Sequence, residues 1–218
     1  MSYTPASVRN QLRQAATLGL MALLSSATLA QVPQAALEHR SAMTRSAYRI
    51  HGPGAPVATL AAQIHQESGW NPTIKSWVGA EGLAQFMPGT ANDIARQFPT
   101  DCAPANPTSP AWAFACRDRL MRQLVGASSR AVGGGPVSAC STWAFAFRGY
   151  NGGPGWMLRD RRKALANGAN PDDWQAVRPF NAGRNANAIK ENREYPERIY
   201  RRERLYLTAG WGAGLFCL

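Results

Sequence analysis

Residues 57–90 read VATLAAQIHQESGWNPTIKSWVGAEGLAQFMPGT and are the most informative part of the chain. Its first eleven residues are rich in strong helix formers. The apolar positions that share one helix face through the i, i+3, i+4, i+7 spacing are Val57, Leu60, Ala61 and Ile64. Glu67 follows one turn later on nearly the same face, and Gly69 is suited to end the helix. The pattern predicts a helix that carries a carboxylate into the core or a cleft.

Such a carboxylate is a candidate proton donor. Cleavage of a glycosidic bond needs an acid that protonates the leaving oxygen. A glutamate can do this near neutral pH only when burial raises its pKa. Taken alone, Glu67 is better interpreted as a solvated residue at a helix end, because glutamate is rarely buried without a partner; the residues that follow it favour the buried position.

A glycine-rich turn and a second helix start follow Glu67. Gly79 and Gly82 allow close approach of the backbone to a ligand. Gln85 and Met87 come just before Pro88, and proline in a first helical turn marks a helix start. We therefore expect the turn to bring Gln85 and Met87 near the preceding carboxylate.

A third motif lies in residues 146–155, which read AFRGYNGGPG after the apolar run WAFAF of residues 143–147. Without context, Asn-Gly-Gly-Pro-Gly is a turn. Together with residues 67–90, however, this ordered set resembles the soluble lytic transglycosylases, lysozyme-like enzymes that cut bacterial peptidoglycan. The resemblance runs from about Val57 to Tyr206 and implies a mostly α, lysozyme-like fold, as in goose-type lysozymes.

The resemblance also assigns roles to residues. It implies that Glu67 is catalytic and that Ser76, Gln85 and Met87 line the sugar cleft. Tyr150 takes the place of a tyrosine that hydrogen-bonds near the acid, and Asn151 follows it in the substrate-binding set. Arg148-Gly149 departs from the small residues usual before that tyrosine, which predicts a looser helix end.

A fourth segment, ENREYPERI at residues 191–199, resembles the family more weakly. Glu191 and Tyr195 take the matched, substrate-binding positions. Pro196 replaces the usual aliphatic residue and predicts a helix boundary near Tyr195. The alternative is a charged, solvated helix face with no role in the site.

The resemblance implies a lyase that needs one acid/base and no cofactor. The glutamate protonates the leaving oxygen and then helps the C6 hydroxyl of the substrate attack the anomeric carbon, which leaves a 1,6-anhydromuramic acid end. A hydrolase with two working carboxylates needs a second one. Glu81 and Asp93 are the nearest candidates, and neither has the family position. A goose-type-lysozyme-like hydrolase, or a non-catalytic wall-binding or structural virion protein of this fold, stays open.

The chain also has recognisable segments. Residues 1–30 resemble an export signal, with Arg9 and Arg13 before an uncharged stretch of residues 15–30 that is short for a bilayer span. A retained N-terminal helix, as in a bacteriophage virion protein ejected during infection, is the alternative. We further expect a linker at 31–56, the catalytic domain at 57–206 with a proline-rich insertion at about 99–116, and a tail at 207–218.

Cysteines and charge suggest compartment and partners. The even count of four cysteines, without a Cys-x-x-Cys pair and with three histidines, argues against a zinc site. We expect disulfides between Cys102 and Cys116 and between Cys140 and Cys217, which fit an oxidising periplasm; buried free thiols are the alternative. The formal charge of +11 attracts polyanions such as peptidoglycan or anionic lipid. No nucleic-acid motif is present; the expected partners are peptidoglycan, virion or envelope-complex proteins, and a membrane touched transiently by the N-terminal segment.

Overall fold

The helix predicted at residues 57–67 lies at the centre of the structure, a computed structural model that describes residues 31–217. The expected export signal therefore lies outside the described residues. The helices of the described part are α1 (Gln34–His51), α2 (Val57–Ser68), α3 (Pro88–Gln97), α4 (Pro99–Cys102), α5 (Pro110–Ser128), α6 (Ala139–Gly152), α7 (Pro154–Ala166), α8 (Trp174–Val177) and α9 (Ala186–Thr208). The expectation of a mostly α structure is confirmed.

Helix α2 is buried on every side. Besides the predicted face, it buries Ala58, Thr59, Ala62 and Gln63. Small side chains let neighbouring helices approach closely all round, and a helix that is apolar on all faces belongs in a core. Helix α9 packs along α2, while α1 packs on α5 and α6 packs on both α5 and α9. Gly69 ends α2 in the left-handed conformation at φ 59°, as predicted.

The expected linker at 31–56 is wrong, because α1 occupies most of it. The residues that α1 buries are Ala36, Met43, Ser46, Ala47 and Ile50, a stripe about one side chain wide. A stripe this narrow, among many polar residues, is a weak helix signal in the sequence. It nevertheless suffices to cover one side of the core.

The C-terminal tail is anchored to the core through Trp211. Trp211 is buried, and its ring packs against Trp70 and Tyr206. The Glu203 carboxylate accepts hydrogen bonds from the Thr59 hydroxyl at 3.0 Å and from the Phe216 backbone N–H at 2.9 Å. These contacts fix residues 209–217 against α2 and α9.

Both expected disulfides are present, Cys102–Cys116 and Cys140–Cys217. The first bridges the proline-rich insertion, of which residues 110–116 form the first turns of α5. Ser109 caps that helix by accepting from the Trp112 N–H, and Pro110 occupies its first turn.

Helix α9 does not have the boundary predicted near Tyr195. It continues from Ala186 to Thr208 with Pro196 inside. Tyr195, Pro196 and Ile199 are all buried, so packing against α2 and α6 compensates for the lost backbone hydrogen bond. Within the described residues, no helix is both long and apolar enough to cross a membrane.

Candidate active site

A cleft of about 450 Å³ opens beside the end of α2. The residues that line it are Gln66, Glu67, Ser76, Trp77, Val78, Ala80, Gln85, Phe86, Met87, Thr90, Leu120, Tyr150, Asn151, Glu191, Tyr195 and Arg198. The set includes every non-cysteine residue that the sequence suggested for the site. Four segments that are distant in sequence therefore meet around one carboxylate.

Glu67 lies in the last turn of α2 and is partly buried. The Tyr195 hydroxyl donates a hydrogen bond to its Oε1. Burial is the largest influence on this carboxylate and raises its pKa to about 8; the Tyr195 hydrogen bond opposes that rise, and the negative charge of Glu191 adds to it. Glu67 is therefore mostly protonated at neutral pH, as a general acid must be.

A buried polar network lies behind the Glu67–Tyr195 pair. The Gln63 side-chain amide donates to the Tyr195 hydroxyl at 3.4 Å. Arg117 in turn donates to the Gln63 carbonyl at 3.4 Å and to the Leu60 backbone carbonyl at 3.0 Å, and it forms an ion pair with Asp118 at 3.1 Å. This network fixes the tyrosine that holds the acid.

Only one member of this network could be anticipated from the sequence. Gln63 precedes Glu67 by four residues, so it was certain to lie one turn away on the same helix. Arg117 and Asp118 are fully buried on α5, in a stretch that offers no motif. A buried charged pair of this kind can be recognised only once the helices are packed.

The glycine-rich turn is held by its own polar side chains. The Ser76 hydroxyl accepts from the Ala80 N–H at 2.9 Å, and the Gln85 amide donates to the Gly82 carbonyl at 3.0 Å. Both side chains line the cleft, as expected, but their observed hydrogen bonds shape the turn. Gly82 lets the turn pack closely on the neighbouring backbone: a Cβ on it would lie 1.9 Å from the backbone oxygen of Pro107.

The third motif reaches the same cleft. Tyr150 lies in α6, and its hydroxyl donates to the Ala84 carbonyl at 2.6 Å. Thus Tyr150 holds the glycine-rich turn, whereas the tyrosine that bonds the acid directly is Tyr195. The predicted loosening by Arg148-Gly149 is wrong: α6 continues to Gly152, and Arg148 is buried in an ion pair with Asp160.

Asn151 and Glu191 form the polar end of the cleft. The Asn151 amide donates to Glu191 Oε1 at 3.1 Å, and Asn192 donates to the Asn151 carbonyl. Glu191 is exposed, unlike Glu67. The two carboxylates considered from the sequence lie outside the cleft lining: Glu81 pairs with Lys75 at 2.7 Å, and Asp93 pairs with Arg96.

Residues 47–175, more than half of the chain, match the family described as "Transglycosylase SLT domain". The chain belongs to this family. A 43-residue stretch is 51% identical to the soluble lytic murein transglycosylase of Escherichia coli K12 and covers 20% of this chain and 7% of that protein. Its counterpart in Salmonella typhimurium is 61% identical over 37 residues, which are 17% and 6% of the two chains.

Two solved structures share the fold of this SLT domain. The 70 kDa soluble lytic transglycosylase of Escherichia coli superposes with a TM-score of 0.57 at 24% identity, over 80% of this chain and 25% of that one. An inactive mutant of lytic transglycosylase Slt from Pseudomonas aeruginosa gives 0.54 at 20% identity, over 82% and 25%. The lysozyme-like fold of lytic transglycosylases is thereby confirmed, although the chain spans about a quarter of these relatives.

Some residues that line the cleft were not predicted from the sequence. Gln66 and Thr90 flank the motifs, and Leu120 and Arg198 come from helices α5 and α9. Trp77 and Val78 lie inside the quoted turn and could have been proposed from its spacing alone. The described residues hold no group of three or more His, Cys, Asp or Glu side chains that could bind a metal ion.

Proposed function

We propose that this SLT domain is a lytic transglycosylase that cleaves the β-1,4 bond between N-acetylmuramic acid and N-acetylglucosamine in peptidoglycan. The observation that carries the proposal is Glu67, a carboxylic acid with a pKa near 8 in a cleft of this family. At pH 7 such a group is about nine-tenths protonated. It can therefore donate a proton where an ordinary glutamate would already be ionised.

The proposed reaction uses this one group twice. Glu67 donates its proton to the glycosidic oxygen, and the bond from that oxygen to the anomeric carbon breaks. The C6 hydroxyl of the same muramic acid then attacks the anomeric carbon while its proton passes to the Glu67 carboxylate. A 1,6-anhydro ring forms, the acid is restored, and no water is consumed.

The remaining cleft residues support binding and orientation in this proposal. Tyr195 holds Glu67 in place, while Tyr150 and Gln85 keep the glycine-rich turn in position. Ser76 and Met87, on that turn, and the Asn151–Glu191 pair, at the polar end of the cleft, offer contacts to the sugars. Exposed Glu191 is tied to an amide, so it supports binding better than it supports activation of a water.

Mass spectrometry of peptidoglycan digested with the purified chain tests the reaction. We expect products with 1,6-anhydromuramic acid ends, each lighter by one water than the corresponding reducing-end product. Reducing ends would instead establish the hydrolase. Glu67→Gln should lower the rate at least about 100-fold, the usual scale of general acid catalysis. The matched control is Glu38→Gln, at an exposed position on α1, which should retain full activity.

Zymography on a murein-containing gel separates the enzyme from a structural or wall-anchoring protein of this fold. Clearing that depends on Glu67 supports the enzyme, and binding without clearing by the unmodified protein supports the alternative. The Gly-rich turn, the acid and the tyrosine that holds it are all in place, which favours the enzyme.

We further propose that the protein acts in the bacterial periplasm or cell envelope, because its substrate lies there. Both disulfides suit that oxidising compartment. Secretion and ejection from a phage particle are the two routes, and they differ in residues 1–30. N-terminal sequencing of the native protein distinguishes them: a start near Gln31 indicates secretion, whereas Met1 retained in a particle indicates ejection.

A further inference from the structure

The glycine-rich turn presents a tryptophan almost entirely to solvent. The side chain of Trp77 is 98% exposed, and its neighbours Val78 and Met87 are 49% and 42% exposed. All three line the cleft that contains Glu67. We call these three residues the apolar rim. Exposed apolar patches at the edge of a groove commonly mark a binding surface.

The other tryptophans show how unusual this placement is. The exposed fractions of Trp70, Trp112, Trp143, Trp174 and Trp211 are all 8% or lower. Trp156 is partly buried, with the Arg159 guanidinium over its ring. Trp77 has no comparable packing, so it contributes little to the stability of the fold. A ring of this size in water costs free energy that contact with a ligand would recover.

The backbone that carries Trp77 is well fixed. The Ser76 N–H donates to the Ala80 carbonyl at 2.8 Å, and the Gly79 N–H donates back to the Ser76 carbonyl at 2.9 Å. Gly79 takes φ 88°, which suits glycine in such a tight turn. The backbone of the turn therefore keeps the attachment point of the ring at the rim, which lowers the backbone entropy lost when a ligand binds.

The remaining lining of the cleft is largely polar. It includes Gln66, Asn151, Glu191 and Arg198 as well as the acid. A pyranose ring has an apolar C–H face and a hydroxyl-bearing edge. The cleft offers a matching pair of surfaces, with an aromatic ring at the rim for the face and polar side chains for the edge.

We propose that Trp77 is a sugar-binding residue that stacks on a pyranose ring of the glycan strand, with Val78 and Met87 beside it. This inference rests on the proposed function and names the part of the substrate that the rim contacts. It commits to the sugar backbone of the strand and not to its peptide stems. An exposed tryptophan can also contact a membrane surface or a partner protein, and the test below distinguishes these two cases from sugar binding.

The binding test uses the Glu67→Gln protein, which binds without cutting, and glycan strands from which the peptides have been removed. In this background Trp77→Ala should weaken binding roughly tenfold, the scale of a single aromatic contact worth over 1 kcal/mol. Trp77→Phe should recover part of the loss because it retains a ring. The control is Leu165→Ala, which removes a 47% exposed apolar side chain outside the cleft lining.

Two further readouts exclude a merely structural effect. In the active protein, Trp77→Ala should raise KM about tenfold and leave kcat within about twofold, since binding is lost equally in the ground and transition states. Bound glycan should also protect tryptophan fluorescence from acrylamide, and this protection should vanish in Trp77→Phe.

Outcomes that overturn the inference differ from those that overturn the proposed function. Unchanged glycan binding in Trp77→Ala, with the parent active and Glu67→Gln inactive, refutes only the stacking role. The stacking role is refuted in the same way if Trp77→Ala loses binding to anionic phospholipid vesicles while its glycan binding is unchanged, or if its binding falls only for strands that carry their peptides. A parent protein that neither cuts peptidoglycan nor binds the stripped strands refutes the proposed function and the inference together.

Discussion

Replacement of the proposed acid should make the protein more stable at neutral pH while it removes activity. Glu67→Gln retains the shape of the side chain and an oxygen that accepts from the Tyr195 hydroxyl. It removes only the ability to ionise. The free energy of unfolding should therefore rise, because the parent must keep a carboxyl group where burial disfavours its charge.

Proton linkage determines the direction in which the unfolding free energy of the parent changes with pH. The pKa of Glu67 is about 8 in the folded chain against a reference of 4.5, so between these values the folded state holds a proton that the unfolded state has lost. The unfolding free energy of the parent must then fall as the pH rises across this window. Glutamine does not titrate in either state, so the variant does not lose unfolding free energy across this pH range. The two proteins should agree below about pH 4.5 and differ most above about pH 8.

The magnitude follows from the same two values. One pKa unit corresponds to about 1.36 kcal/mol. The unfolding free energies of the variant and the parent would then differ by roughly 5 kcal/mol above pH 8 and by about 3 kcal/mol at pH 7. Glu67 is only partly buried, and water in the open cleft screens its charge, so we expect about 2 kcal/mol at pH 7. For a chain of this size that raises Tm by roughly 4–8 °C.

Urea unfolding at a series of pH values from 4 to 9 checks this prediction, with the disulfides kept oxidised. The control is exposed Glu38→Gln, which should stay within about 0.5 kcal/mol of the parent throughout. A Glu67→Gln curve that runs parallel to the parent curve between pH 4.5 and pH 8 would show that the pKa of Glu67 is not raised in the folded chain. A variant that is less stable than the parent at pH 7 would also contradict the prediction.

Activity should fall about tenfold per pH unit above roughly pH 8, as Glu67 loses the proton it donates; a rate that still rises through pH 9 would contradict this. Tyr195→Phe removes the hydrogen bond that lowers the pKa of Glu67, so the fall in activity at alkaline pH should begin at a higher pH. Tyr150→Phe should leave the pH of that fall unchanged. Gly82→Ala should lower the unfolding free energy by about 1–3 kcal/mol more than Gly79→Ala in chemical denaturation. Both glycines have positive φ, but only the first would clash with backbone, and equal losses would show that the close contact is relieved.

Much of the helical framework could be predicted from sequence. The apolar spacing before Glu67 placed the acid on a core-facing helix, Gly69 ended that helix, and Pro88 began the next one. These features are local, because they depend on backbone preference and on which side chains share a turn. The predicted linker and the predicted break at Pro196 failed for the opposite reason. There, packing against distant helices outweighed weak or unfavourable local signals.

The residues able to do the chemistry can be identified in the sequence: a carboxylic acid, two tyrosines and a glycine-rich turn, in an order that matches a family. Helix packing was needed to show which tyrosine bonds the acid, that Gln63 and Arg117 lie behind it, and that Trp77 is exposed. The reason is physical. A pKa near 8 arises from removal of water and from charges on other helices, and residues such as Glu67 and Glu191 become neighbours only when α2 and α9 pack together.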